Sequence, residues 1–134
     1  MNKFISFVLV IIFCSCAATS TKNDATIGFN QTEFNFGKLQ FKKEAECSFE
    51  FYNTGTSPLI IYDVKPSCGC TAAEWTKKPL KSGSSGEITI KYDSAFPGMF
   101  NKEVTVYFNG QESPVTLRIK GQVEYPEKFQ FKDQ

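Results

Sequence analysis

Histidine is absent from the 134 residues of this chain. The common Ser–His and Cys–His catalytic triads need a histidine base, so its absence excludes them. Zinc sites that combine histidine with cysteine are excluded for the same reason, and the usual two pairs of zinc-binding cysteines are absent as well. The sequence also lacks a phosphate-binding glycine loop and a dinucleotide-binding fingerprint. We therefore expect a non-catalytic protein without a cofactor.

Positive charge is neither abundant nor clustered. The chain has 15 lysines and arginines against 14 acidic residues, and Arg118 is its sole arginine. Removal of residues 1–15 as a signal peptide would take away Lys3 and no acid, so the mature charge would be 14 minus 14, or zero. Proteins that neutralise nucleic-acid phosphates present a clustered basic face. We therefore expect no nucleic-acid partner.

The N-terminal segment has the pattern of an export signal. Lys3 precedes an apolar run over residues 4–13, which is much shorter than the roughly 20 residues that span a bilayer as a helix. The following Cys-Ser-Cys-Ala-Ala resembles the lipobox of bacterial lipoproteins, with Cys16 as the lipid acceptor because small Ser15 precedes it. Phe13 and Cys14 depart from the usual lipobox. The alternative is ordinary signal cleavage after Ala17 or Ala18, which leaves a secreted protein.

These features divide the chain into four parts. Residues 1–15 are interpreted as a signal peptide, and residues 16–25 as a polar, lipid-anchored tether. Residues 26–124 form the predicted domain, and residues 125–134 a C-terminal tail. We expect the protein in the cell envelope, attached through its N-terminal lipid to a bacterial membrane, with the outer membrane favoured.

The predicted domain is all-β. The clearest alternation lies in residues 44–52, where Cys47, Phe49 and Phe51 share one face with Ala45 while glutamates and Ser48 share the other. Outside the signal segment no stretch has sustained helical spacing. About seven short strands separated by turn residues predict an immunoglobulin-like antiparallel β-sandwich. Residues 27–36 are interpreted as one edge strand in two pieces, and Asn109-Gly110 as the turn of a hairpin.

Cys68-Gly69-Cys70 follows a predicted strand and is the main candidate for chemistry. Four interpretations stay open: two small packed residues, a strained and redox-active disulfide, a disulfide to Cys47, or a soft-metal site for Cu(I). If residues 55–56 were the turn of a hairpin, Cys47 would lie about 10 Å from Cys68, out of bonding range. Cys47 is then better explained as a small core residue.

Two further candidates are weaker. Trp75, the one tryptophan, either anchors a partner or covers one end of the sandwich. Glu44, Glu46 and Glu50 share a strand face with Ser48, which is typical of a solvated outer face rather than of a carboxylate pair.

Several short motifs together resemble the domain-of-unknown-function family 1573. They are Phe34-Asn35-Phe36-Gly37, Asn53-Thr54-Gly55, Pro58-Leu59, Ser67-Cys68-Gly69-Cys70-Thr71 with Trp75, Gly86-Glu87-Ile88, Tyr92-Asp93, the run from Gly98 to Lys102, and Gly121. The resemblance covers roughly residues 26–124. It implies an immunoglobulin-type sandwich related to the major sperm protein and cilium-associated domains, which bind other proteins.

The function we expect is therefore binding of another envelope protein or a glycan. An exposed strand edge and the loop end with Cys68, Gly69, Cys70 and Trp75 are the expected surfaces. The alternative is a thiol-redox or copper-binding module centred on Cys68 and Cys70.

Overall fold

A computed structural model describes residues 22–129. The predicted signal peptide, Cys16 and residues 130–134 lie outside the described residues. Within them the chain forms eight strands and one 3₁₀ turn: β1 (Ile27–Phe29), β2 (Glu33–Leu39), β3 (Glu44–Asn53), β4 (Ile61–Pro66), β5 (Thr71–Trp75), β6 (Ser85–Asp93), β7 (Gly98–Phe108), β8 (Val115–Val123) and the turn Glu127–Phe129. Between residues 22 and 129 there is no helix with the length and apolar character needed to cross a membrane.

The strands form two sheets of four, in the orders β1-β3-β6-β5 and β2-β8-β7-β4. The predicted sandwich is confirmed, with eight strands in place of about seven. The interpretation of residues 27–36 as one edge strand is wrong, because β1 and β2 belong to different sheets. β2 also pairs parallel to β8, so the sandwich is antiparallel except at this edge.

Alternation in the sequence positions the core as expected. Cys47, Phe49 and Phe51 of β3 are buried, and their register partners Ile90 and Ile88 in β6 are buried opposite them. Val104, Val106 and Phe108 of β7 are buried from the second sheet. The glutamates that alternate with the β3 core residues are exposed, which confirms a solvated outer face.

One of the two hairpins predicted from turn composition is confirmed, and the other is wrong. β7 and β8 form the hairpin predicted from Asn109-Gly110, with Val106 opposite Val115. The assumed hairpin around residues 55–56 is wrong, because β4 pairs with β7 in the other sheet. The chain instead crosses between the sheets after β3, so local turn composition did not identify the strand's partner.

The strands run between two ends of the sandwich, the attachment end and the groove end. The attachment end comprises residues 23–25, the loop 53–57 and Asn109. Asn23 donates to the Asn109 carbonyl, and the Thr56 N–H donates to the Asp24 carbonyl. Ala25 is buried, so the last residues of the predicted tether are packed on the domain. The groove end comprises residues 40–43, 67–70, 94–97 and 124–129.

Candidate functional site

Cys68 and Cys70 lie at the groove end, between the last residue of β4 and the first of β5. Their sulfur atoms are bonded at 2.12 Å, and their Cα atoms are 5.4 Å apart. Both cysteines are half-buried, and the Thr71 hydroxyl lies 3.5 Å from the Cys68 sulfur. Of the four interpretations from the sequence, the structure therefore has the Cys68–Cys70 disulfide.

The disulfide loop is tied to both sheets by its neighbours. The Ser67 N–H donates to the Glu103 carbonyl at 2.8 Å, and the Glu103 N–H donates to the Ser67 hydroxyl at 3.1 Å. On the other side, the Asp93 N–H donates to the Cys70 carbonyl at 2.9 Å. Glu103 belongs to β7 and Asp93 to β6. The loop thus spans the two layers where the chain passes from one to the other.

Cys47 takes no part in this site. Its thiol is unbonded, and the residue is 6% exposed in the middle of β3. Burial, with a smaller contribution from the charge of Glu46, raises the pKa of this thiol to about 12. A protonated, buried thiol is a poor nucleophile. The predicted core role of Cys47 is confirmed, and the possible bond between Cys47 and the motif is wrong.

Metal binding finds no ready site in the described part of the chain. Residues 22–129 contain no group of three or more cysteine, aspartate or glutamate residues placed to hold an ion. A disulfide presents no thiolate, so Cys68 and Cys70 can ligate Cu(I) only after reduction.

Trp75 is not part of the cysteine loop, contrary to the expected shared surface. It ends β5 opposite Ile88, five residues of extended chain or roughly 16 Å from Cys70. Its side chain is half-buried and packs against the core. The Lys77 ammonium lies 3.0 Å from the centre of its ring, and its indole Nε1 is buried without a hydrogen-bond partner.

The groove end also carries a large apolar groove that the sequence analysis missed. This aromatic groove has a volume of about 770 Å³ and is lined chiefly by aromatic and proline side chains: Phe41, Phe96, Pro97, Tyr125, Pro126 and Phe129. Phe96 is 77% exposed and Phe129 is 60% exposed. Among residues 22–129, Lys128 is the one charged residue in its lining.

A buried hydroxyl fixes one wall of the aromatic groove. Ser94 is 0% exposed, and its hydroxyl contacts the carbonyls of Gln40 and Lys43 while accepting from the Lys43 N–H at 2.9 Å. The Lys42 N–H donates to the Ser94 carbonyl at 2.9 Å. Lys42 itself has a φ of +58°, a left-handed conformation that costs a non-glycine residue about 1–2 kcal/mol. The turn that presents Phe41 is therefore held in place by hydrogen bonds to the buried Ser94.

Sequence reasoning missed the groove because its residues come from turns. Phe41 and Phe96 do not continue the alternation of any strand, and Ala95-Phe96-Pro97-Gly98 has the composition of a break between strands. The positions of these two rings could have indicated the groove. A phenylalanine in a hydrophilic or proline-containing turn has no strand face on which it can be buried, so it is expected at the surface.

A family model that matches most of the chain identifies its family. The model described as "Protein of unknown function (DUF1573)" matches residues 27–123, which include every described strand. The chain belongs to this family. No curated protein matches the DUF1573 chain.

Solved structures similar to this DUF1573 domain agree on its fold. A protein of unknown function from Porphyromonas gingivalis has a TM-score of 0.64 at 19% identity, over 83% of this chain and 51% of that one, so the chain spans about half of that protein. The ASH/PapD-like domain of human CEP192 has a TM-score of 0.60 at 11% identity, over 94% of this chain and 100% of that domain. The Vibrio cholerae protease VesB has a TM-score of 0.56 at 18% identity, over 75% of this chain and 32% of that one. Identities this low show an immunoglobulin-like fold and nothing about activity.

Two features of the DUF1573 domain are thus brought together at the groove end. The disulfide loop is bonded to Asp93, and the Ser94 hydroxyl and the groove residue Phe96 follow within three residues. The arrangement places an apolar surface beside a half-buried disulfide.

Proposed function

We propose that this chain is a non-catalytic binding module of the bacterial cell envelope, anchored through a lipid on Cys16, and that it binds another envelope protein at the groove end. The exposed aromatic groove is the observation that carries the proposal. Contiguous apolar surface of this kind on a soluble domain marks interaction sites, because leaving it in water is unfavourable.

The position of the chain's N-terminal side supports this orientation. Residues 23–25 pack at the attachment end, whereas the groove is at the other end of strands such as β3, whose ten residues extend about 33 Å. A lipid on Cys16 would therefore hold the attachment end near the membrane. The groove would then face away from it, toward other envelope components.

A protein partner fits the groove better than a glycan. Sugar recognition needs side chains that hydrogen-bond with hydroxyl groups, in addition to aromatic faces. The lining of the groove is mostly carbon, with the Lys128 ammonium and the Tyr125 hydroxyl as its main polar side-chain groups. Apolar side chains of a protein segment match that surface.

Site-specific photo-crosslinking tests binding at the groove. The full chain is produced in its own cells with a photoreactive benzoylphenylalanine at position 96, and for comparison at position 62. Tyr62 is a matched control because it is 63% exposed but lies outside the groove. We expect a discrete adduct from position 96 alone. Equal adducts at both positions, or none at position 96, would refute binding at this site.

The anchor has its own test. Mass spectrometry of the mature N-terminus should find a diacylglyceryl-modified Cys16. An unmodified chain that begins after Cys16 would remove the lipid anchor from the proposal but would leave the groove unaffected.

The Cys68–Cys70 disulfide favours a second candidate, thiol–disulfide exchange. A thiolate of a dithiol partner would attack one sulfur and form a mixed disulfide, and its second thiol would resolve this bond. The partner's two thiols are then oxidised to a disulfide, and Cys68 and Cys70 take up the two electrons and two protons.

Equilibration with glutathione redox buffers tests this candidate. A redox function requires a reduction potential in the range of exchange catalysts, about −270 to −120 mV, whereas structural disulfides of exported proteins lie below about −300 mV. A reduction potential in the range of structural disulfides would refute the redox function. If the value is higher, Cu(I) titration of the reduced protein would test the related copper function.

A further inference from the structure

We infer that the aromatic groove binds a short, proline-rich segment of a partner protein that carries an acidic side chain beside its prolines. This inference rests on the proposed function and adds the chemical class of the ligand. It follows from the lining, the rigidity and the charge of the groove.

The lining selects flat apolar groups. Four aromatic rings and two prolines form the walls, and few side chains offer hydrogen bonds. Proline-rich segments adopt the polyproline II helix, which presents pyrrolidine rings at its surface and has no internal hydrogen bonds. Aromatic-lined grooves are the usual receptors for such segments.

The groove is preformed, which suits a stiff ligand. The buried Ser94 hydroxyl holds residues 40–43, and Pro97 and Pro126 fix their own φ angles in the other two walls. Neither side then loses much conformational freedom on binding, because the polyproline II helix is populated before it binds.

Two ammonium groups beside the groove determine the charge of the ligand. The Lys42 Nζ lies 5.3 Å from the centre of the Phe41 ring, and the Lys128 Nζ lies 5.1 Å from that of Phe129. Within residues 22–129 neither lysine forms an ion pair with a carboxylate. A carboxylate next to the bound prolines would pair with them at the edge of an apolar surface, where such a contact is screened less than in open water.

A membrane surface is the less favoured occupant. Exposed aromatic residues with lysines also occur at lipid interfaces. However, a lipid on Cys16 would hold the attachment end near the membrane, and the groove lies at the other end of strands such as β3.

Fluorescence anisotropy with a labelled peptide tests the inference. The probe is Pro-Pro-Leu-Pro-Pro-Glu-Pro-Glu. It is added to the mature protein, purified after the cells that produce it have processed the full chain. Two control peptides replace all prolines with serine or both glutamates with lysine. We expect saturable binding of the first peptide at micromolar concentration, with both controls weaker by about tenfold or more.

Protein variants assign the binding to the groove. Phe96→Ser should weaken binding by at least about tenfold, and Lys128→Glu by several-fold. Tyr62→Ser and Lys81→Glu are the matched controls, since these residues are exposed but lie outside the groove, and they should bind as wild type does. Circular dichroism checks that all four variants are folded.

Several outcomes would overturn the inference. Equal binding of the serine peptide, or no binding while the adduct at position 96 persists, would refute this ligand class but not the proposed function. Binding of peptidoglycan fragments or of anionic phosphatidylglycerol vesicles in its place, lost in Phe96→Ser, would identify another occupant. A dimer in sedimentation that Phe96→Ser abolishes would make the groove a contact between two copies.

Discussion

Each end of the sandwich is ordered by one buried polar side chain, but the two ends present different surfaces. At the attachment end the Asn53 side chain, 1% exposed, donates to the carbonyls of Ser57 and Leu80 and accepts from the Gly55 N–H. At the groove end the Ser94 hydroxyl organises residues 40–43 in the same manner. Each end therefore has one buried polar side chain that satisfies the backbone of a turn.

The difference lies in what the ordered turns cover. At the attachment end residues 23–25 lie against the loop, so closely that a Cβ on Gly55 would be 1.9 Å from the Asp24 carbonyl oxygen. At the groove end the ordered turn carries the half-buried Phe41, and the exposed ring of Phe96 lies beside it in the groove. The turn that carries Phe41 is hydrogen-bonded to Ser94, as the loop at the covered end is to Asn53, so this wall of the groove is not loosely packed. An apolar surface maintained on a fixed backbone is typical of a binding site.

Substitution of Asn53 should have the largest effect. Asn53→Ala leaves the Ser57 carbonyl and the Gly55 N–H without their partner, while the Leu80 carbonyl keeps the Leu59 N–H. Unpaired buried polar groups cost about 1–3 kcal/mol each. We expect the free energy of unfolding to fall by about 3 kcal/mol in urea titrations, since water reaches some of these groups. The exposed Asn101→Ala should change it by less than about 0.5 kcal/mol. Similar losses in the two variants would contradict the role of Asn53.

Ser94→Ala tests whether the groove end depends on its buried hydroxyl to the same degree. We expect a loss of about 2 kcal/mol, because Lys43 and Gln40 lose a buried partner. Ser48→Ala is the control, because Ser48 lies on the exposed face of β3 and its hydroxyl contacts that of Thr89 in β6. If Ser94→Ala costs no more than Ser48→Ala, the turn at Phe41 is held by other contacts and the parallel between the ends fails.

The disulfide gives the groove end a covalent constraint. Cys68 and Cys70 are separated by 2 positions, so chain entropy alone predicts about 1.5 kcal/mol of stabilisation from this small ring. The double variant Cys68→Ala, Cys70→Ala should lose about that amount. Wild-type protein unfolded in the presence of a reductant should show the same loss. A reductant with no effect would mean that the bond does not stabilise the fold.

Alternation in the sequence was sufficient to predict the core, but it did not predict which strands pair. Burial of Phe49 and Phe51 follows from the period of two in β3, whatever sheet that strand joins. The partner of β4 depends on long-range packing, and no residue in the loop after Asn53 specifies that the chain crosses to the other sheet. For the same reason β1 and β2 were merged, since three residues carry too little pattern to show a change of sheet.

The candidate site was predicted in part. The Cys-Gly-Cys spacing identified the loop but left its bonding open, because a bond between such close cysteines depends on a backbone bend that Gly69 permits without requiring. The groove was not predicted, since Phe41, Phe96 and Phe129 are far apart in sequence and meet only when three turns are placed at one end. Periodicity describes the faces of strands, and this surface belongs to none of them.

The smallest expected effect on stability comes from the groove itself. Phe96→Ser and Tyr62→Ser should each change the free energy of unfolding by less than about 0.5 kcal/mol, because both rings are mostly exposed. The two variants should nevertheless differ in their binding of the apolar dye anilinonaphthalene sulfonate. Phe96→Ser should reduce dye fluorescence, since it removes a wall of the groove, whereas Tyr62→Ser should leave it unchanged. Equal dye binding by both variants would mean that the groove binds apolar molecules no better than any exposed aromatic residue does. The contrast between the two ends would then have no functional meaning.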